Sequence, residues 1–311
     1  MMGEGSNTLH FRSNGKLMLS GEYLVLNGAK ALALPTKFGQ DLNIQPIDQP
    51  KIIWYSTQKN LPWFNAEFDL ASLEISATND VPIAHQLQKI LKVAQQLNAG
   101  FPGTSNGFSV LSNIEFNINW GLGSSSSLIS NIAYWAKCDP YKLNRKVFHG
   151  SGYDIACARS QTPVIYQLIN ANPVVEEAVF YPYFSNQLYF IWLNKKQNTY
   201  TEIGRFNQLK DYSSEIDIMD EITMGMLESK TLENFQYFME QHEKLISTII
   251  ETPTVKKLFP DFKGSIKSLG AWGGDFILVA SELYEADIRE YFKQKGFLTV
   301  LRFNEMIKNN L

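Results

Sequence analysis

Cysteine is scarce in this chain: Cys138 and Cys157 are the only two in 311 residues. A pair of thiols builds neither a disulfide framework nor a zinc knuckle, so stability has to come from an apolar core, and a reducing, cytoplasmic setting is expected. Long apolar runs are missing too. No stretch of about eighteen apolar residues occurs, so no membrane span is expected. The opening MMGEGSNTLHF lacks a basic segment followed by an apolar one, and no secretory signal is expected from it. An excess of positive charge is also lacking. With 28 Lys and Arg against 31 Asp and Glu, the net charge is -3, which argues against a nucleic-acid partner. Internal repeats and low-complexity segments are absent as well.

What remains is a chain with 44% hydrophobic residues, long enough for one large domain or two ordinary ones. The first part is rich in short β-branched and aromatic runs: LHFRS, KLMLSG, ALALPTKF, DLNIQPI and KIIWYS read as strands. VPIAHQLQKILKVAQQLN spaces its apolar residues at three and four, predicting an amphipathic helix with Asp80 and Pro82 at its start. GFSVLSN and IEFNINW read as a strand pair, and SSLISNIAYWAK and YKLNRKVFHG as helices. Beyond about Asn172 the texture changes. Two long helical patterns, SEIDIMDEITMGMLES and ENFQYFMEQHEKLISTII, stand among strands QLYFIWLN, IKSLGAW, DFILVAS and FLTVLRF, with LYEADIREYFKQKG as a further helix. An α+β class is expected, with domains over 1–172 and 173–311 joined at the weak linker ANPVVEE. The Met-containing helix at 214–229 reads as ordinary packing, or else as the face of a homodimer.

The stretch GLGSSSS, Gly121 to Ser127, stands ahead of a helical run. Glycine and serine are poor for helix stability there, so another gain is expected. A helix N-terminus presents unpaired N–H groups and about half a positive charge. Glycines before it let the backbone approach a ligand closely. Strand, glycine loop and helix together suit a phosphate. No lysine follows Gly123 as a Walker loop requires, and Ser126 replaces the third glycine of a dinucleotide fingerprint. The plainer alternative is a serine-capped helix after a glycine turn.

Three other stretches keep it company: GKLMLSGEYLVLNG from Gly15, SGYDIACA from Ser151 and KSLGAWGGDFILV from Lys267. In this order they resemble the motifs of the GHMP kinases, which include galactokinase, homoserine kinase, mevalonate kinase and phosphomevalonate kinase. GEY, SGYD and GGD resemble the phosphomevalonate branch most. The resemblance implies a two-domain fold: a ribosomal-protein-like N-terminal α+β domain with a left-handed βαβ unit, a ferredoxin-like C-terminal domain, and a site in the cleft between them. It implies ATP and Mg²⁺ as cofactors and a small-molecule acceptor as substrate. Gly121, Leu122, Gly123, Ser124, Ser125 and Ser126 would bind the triphosphate, with Ser125 as the metal contact. Asp154 and Lys16 match the catalytic pair. Glu22, Tyr23, Ser151, Gly152, Gly270, Ala271, Trp272, Gly273, Gly274 and Asp275 would line the acceptor side. Arg145, Lys146, His149 and Arg159 are candidates to neutralise a phosphorylated acceptor; a solvated basic helix face is the plainer alternative.

Three departures from the pattern stand out. Trp272 occupies a place the family gives to glycine. The helix YKLNRKVFHG carries no carboxylate for a second metal contact, Asp139 being the nearest upstream. The prolines that usually precede the first two motifs are absent. Mevalonate or phosphomevalonate is the expected acceptor, in isoprenoid synthesis. A sugar kinase, a diphosphomevalonate decarboxylase and a non-catalytic sensor on the same scaffold are the rivals.

Overall fold

The computed structural model describes residues 8–103, 106–148, 150–195, 206, 210–270, 272 and 274–308. The chain divides into two compact units that it enters alternately: Met1–Gly15, Phe38–Ile118 and Gly123–Arg159 in the first, Lys16–Lys37, Asn119–Leu122 and Ser160–Leu311 in the second. The expected boundary at 172 falls inside the second unit. Two strands run through both units: β1 (Leu9–Met18) and the long β2 (Ala31–Ile47).

In the first unit, β3 (Lys51–Gln58), β4 (Leu61–Asp69) and β5 (Ile75–Thr78) form a meander, followed by α1 (Val81–Leu97) and β6 (Gly107–Ile114). The sheet order is β5-β4-β3-β6-β2. β3 and β6 pair in parallel, and the other pairs of this order are antiparallel. Alternation drives the strands: Phe64, Ala66 and Phe68 of β4 point inward while their neighbours face out. On α1, Ala84, Leu87, Ile90, Leu91 and Ala94 form the buried stripe, and Asp80 accepts the Ile83 N–H as its cap. Helices α2 (Ser124–Trp135), α3 (Pro140–Phe148) and α4 (Tyr153–Arg159) complete the unit. Ile129, Ile132, Leu143, Val147 and Ile155 join one core with the sheet residues Ile52, Trp54 and Val110.

In the second unit, the first residues of β2 pair with β7 (Val164–Ile169), which pairs with β8 (Asn172–Glu177). Then come β9 (Leu188–Trp192), α5 (Ser213–Glu228), α6 (Leu232–Ile249), β10 (Ser265–Ser268), β11 (Phe276–Ala280), α7 (Glu285–Gln294), β12 (Val300–Arg302) and the short α8 (Phe303–Met306). The four-stranded sheet is antiparallel with order β10-β11-β9-β12. Strand, helices, two strands, helix and strand in that sheet order make the ferredoxin-like arrangement expected of the C-terminal part.

Some expectations were displaced. IEFNINW is not a strand: β6 ends at Ile114, and Ile118–Trp120 forms a single 3-10 turn. The Glu115 carboxylate is drawn to Arg12, at 2.6 Å, and to the Gly39 N–H, at 2.9 Å. ANPVVEE is no linker but β8. FLTVLRF yields only three strand residues before α8 begins. On α5, Met219, Ile222 and Met226 are buried.

Candidate active site

The glycine–serine stretch adopts the conformation its composition requires. Gly121 and Gly123 both lie in the left-handed region, at φ 67° and 82°, where other residues are strained. Gly123 sits at the N-cap of α2, and no side chain caps that helix. The N–H groups of its first turn therefore keep no partner among the described residues. The serines divide sharply. Ser126 is buried and returns its hydroxyl to the Gly123 carbonyl at 2.8 Å. Ser127 is buried and donates to Gln40 Oε1 at 2.6 Å. The hydroxyls of Ser124 and Ser125 make no hydrogen bond among the described residues, and Ser125 is exposed. Of the serines expected to bind phosphate, Ser126 thus keeps only its backbone N–H for the purpose, because its hydroxyl is spent on the turn.

Beside this turn the first unit opens a pocket of about 120 Å³, lined by Trp54, Trp63, Ile83, Leu87 and Leu128 with Ser124 and Ser125 at its edge. One water needs only ~10–15 Å³, so the space exceeds that of a single trapped solvent molecule.

Asp154 lies in the first turn of α4, after Gly152 at φ 94°. Its Oδ1 accepts the Ile155 N–H at 3.1 Å, and the Gly152 carbonyl accepts from Ile155 and Ala156. Ser151 and Asp154 are both half-buried. α4 packs on α2, so the aspartate's helix and the serine-led helix are neighbours in one unit. Arg159 closes that contact: its guanidinium lies 3.4 Å from the centre of the Tyr134 ring and donates to Ser130 Oγ and to the Arg12 carbonyl. It is committed to packing, so the expectation that it meets an acceptor is corrected. Arg145 and Lys146 are exposed on the last turn of α3; His149 lies outside the described residues.

In the second unit, the Lys16 N–H donates to the Leu122 carbonyl at 2.9 Å. This pairing fixes the backbone of the half-buried lysine next to the glycine loop, with Leu122 itself fully buried. Glu22 is turned inward. It is 2% exposed, with Lys267 Nζ 2.6 Å from one oxygen and His242 Nε2 2.7 Å from the other. Burial alone would raise its carboxyl, but the Lys267 ammonium and His242 outweigh that and bring it down to about 2. Burial and the neighbouring ammonium lower His242, which stays neutral. Glu243 takes the N–H groups of Val255 and Ser268 and is pushed up to about 6 by burial. Glu22 is therefore a holder of the fold, not a group presented to a ligand. The sequence carried a sign of this network: Lys267 interrupts an apolar strand, and His242 continues the buried stripe of Phe235 and Met239.

Tyr23 and Trp272 are buried too. They pack with Leu24, Phe206, Tyr212, Met219 and Ile246, and the backbone N–H of Trp272 donates to the Tyr23 hydroxyl at 3.4 Å. Trp272 thus fills the second unit's core with its ring. Gly270 has φ 67° and open space where a Cβ would stand. Gly274 is buried, and Ala271 and Gly273 lie outside the described residues. Asp275, at φ 52°, puts its carboxylate against Gly121. Among the described residues no group of three or more His, Cys, Asp and Glu side chains forms a metal centre. A Mg²⁺ carried by phosphates needs no such cage, since one or two protein oxygens suffice. The left-handed glycines, uncapped N–H groups and unspent hydroxyls fit such a metal-bound polyphosphate.

No protein-family model matches the sequence, and no curated protein matches it. The fold is shared with solved small-molecule kinases. Mevalonate kinase of Methanococcus jannaschii matches at TM-score 0.71 and 15% identity, over 98% of this chain and 99% of that one. Phosphomevalonate kinase of Streptococcus pneumoniae, solved with phosphomevalonate and AMPPNP, matches at 0.69 and 18%, over 94% and 99%. Galactokinase of Lactococcus lactis, solved with galactose, matches at 0.67 and 14%, over 99% and 97%.

Proposed function

We propose that the chain is an ATP- and Mg²⁺-dependent small-molecule kinase of the GHMP type. The observation that carries this reading is the start of α2. Two left-handed glycines, an uncapped helix N-terminus and the Ser124 and Ser125 hydroxyls, without a hydrogen bond among the described residues, would make an anion cradle beside an apolar pocket. When bound, MgATP supplies the transferable phosphoryl group. The N–H groups from Gly121 to Ser126 would hold its phosphates, Ser125 would meet the metal, and the pocket beneath Trp54 and Leu87 would take the base.

Lys16 would place an ammonium where negative charge develops in the transition state. Asp154 has a role set by the acceptor. An alcohol must lose a proton on attack, which the carboxylate can accept. A phosphomonoester is already largely ionised near neutral pH, and Asp154 would then orient it. The acceptor most in keeping with GEY, SGYD and GGD is mevalonate or phosphomevalonate, in a cytoplasmic isoprenoid route.

ADP release should be measured with mevalonate, phosphomevalonate, homoserine and galactose. Turnover with one of the first two is expected, and failure on all four with folded protein and MgATP would remove the substrate assignment. Release of CO₂ with diphosphomevalonate would point to a decarboxylase instead. Asp154→Asn should lower kcat by about 10²-fold or more, with nucleotide affinity kept; undiminished turnover would remove its catalytic assignment.

A further inference from the structure

The pocket beside α2 holds more hydrogen-bond donors than its own walls use. Trp63 lines it from β4, where the Asn79 side-chain amide donates to the Trp63 carbonyl at 3.3 Å. The indole Nε1 of Trp63 is buried and has no hydrogen-bond partner among the described residues. Ser56 of β3 and Ser112 of β6 are partners in the parallel register and line the same pocket. Both are buried, and both already accept a hydrogen bond: Ser56 Oγ from the Trp54 indole N–H at 3.0 Å, Ser112 Oγ from Gln40 Nε2 at 2.8 Å. Neither hydroxyl donates to an acceptor among the described residues.

A buried donor without an acceptor costs stability, and folded proteins rarely leave one unpaired. Trp63, Ser56 and Ser112 place such donors on one pocket. A hydrocarbon there would displace water and offer no acceptor in return. The Gln40 carboxamide is engaged at both ends, since its Oε1 accepts from Ser127 Oγ at 2.6 Å and its Nε2 serves Ser112. That amide also ties the donor wall to the opening of α2. Donor wall and serine turn thus form one hydrogen-bonded frame inside the first unit. The ligand that suits the wall carries bare acceptors on a ring. A purine spreads acceptor nitrogens over two fused rings, as donors distributed over β3, β4 and β6 require.

We propose that this pocket recognises a purine base by its acceptor nitrogens, with the Trp63 indole N–H as the specificity-determining donor to one of them. The inference rests on the pocket being the base site of a nucleotide. The Ser56 and Ser112 hydroxyls supply the remaining donors.

The test removes the acceptors singly. Calorimetry without an acceptor substrate gives the affinities of MgATP and of its 1-deaza, 3-deaza and 7-deaza analogues, each lacking one ring nitrogen, for the wild type and Trp63→Phe. The wild type is expected to bind one analogue at least about tenfold more weakly than ATP, because that analogue leaves the buried N–H unpaired. Trp63→Phe should bind ATP and that analogue within about twofold of each other, having no donor to lose. Circular dichroism and a melting curve check that the variant folds. A second readout needs no variant. In the ¹⁵N-labelled wild type, one indole N–H resonance should move downfield with ATP and stay in place with that analogue. Wild-type affinities for all three analogues within about twofold of ATP overturn the proposal and leave the base site standing, its donors then being met by water. A folded Trp63→Phe protein that keeps the wild-type ratio overturns the role of Trp63. No binding of ATP to the wild type overturns the nucleotide reading and the proposal together.

Discussion

Two glycine-led polar motifs, GLGSSSS and SGEY, look alike in the sequence and behave oppositely in the fold. In the first, the Ser124 and Ser125 hydroxyls make no hydrogen bond among the described residues, and the helix they open has no side-chain cap. In the second, Glu22 Oε1 accepts from the Lys267 ammonium at 2.6 Å, Oε2 lies 2.7 Å from His242 Nε2 without a well-aligned hydrogen bond, and the whole group is shut away from water. Buried polar groups are ordinarily satisfied. Donors and hydroxyls left unspent at a surface turn are what a ligand can use; a buried carboxylate ion-paired to a lysine is what holds two segments together. The contrast separates binding residues from scaffold residues more sharply than the motifs do.

The largest effect should come from opening the closed network. Lys267→Met or Glu22→Gln leaves a buried partner without its counter-charge and should cost about 3–5 kcal/mol in denaturant unfolding. The double variant should recover part of that, because no lone charge remains. Single-variant losses under about 1 kcal/mol would dissolve the contrast.

Acid should act on the same network. Glu22 falls from 4.5 to about 2 on folding, so the folded state favours its ionised form. Its contribution is fully present above the ordinary carboxyl value and is lost as pH falls towards 2. In Glu22→Gln the stability curve should flatten across that window. An unchanged acid limb would show that other carboxylates govern it.

Gly121→Ala comes next. A left-handed φ of 67° and a contact of 2.4 Å with Asp275 should cost about 1–2 kcal/mol of stability. Nucleotide affinity should fall at least about tenfold. Titration of the variant with an ATP analogue checks the second point.

The serines give the smallest and most discriminating effects. Ser127→Ala breaks a buried hydrogen bond to Gln40 and should lose about 1–3 kcal/mol. Ser125→Ala touches nothing internal and should stay within about 0.5 kcal/mol in thermal unfolding, while weakening the response of nucleotide binding to metal. Equal stability losses at both positions would erase the distinction between them.

How much of this was legible follows the range of the interactions. α1 announced itself through Asp80, Pro82 and a local apolar rhythm. The loop before α2 was legible because glycine and serine act on their immediate neighbours. The β3–β4 hairpin was passed over: its turn uses Lys59 and Asn60 at φ 50° and 65°, without the glycine that usually marks such a turn. Glu22 was misjudged because its partner Lys267 is 245 residues away; nothing near GEY tells whether its acid faces a ligand or a lysine. Arg159 was misjudged for a similar reason, since its commitment to Tyr134 appears only once α4 lies on α2.

The indole of Trp272 has a consequence beyond this chain. Sealed among Tyr23, Phe206, Tyr212 and Met219, it anchors the segment between β10 and β11 in the interior of its unit like a nail. Evolution cannot pull out such a nail alone. Chains of this fold with a bulky ring at this place should also keep an aromatic beside the first motif's glutamate and a thioether on the helix below, and those that revert to glycine should have filled the hole from the other side.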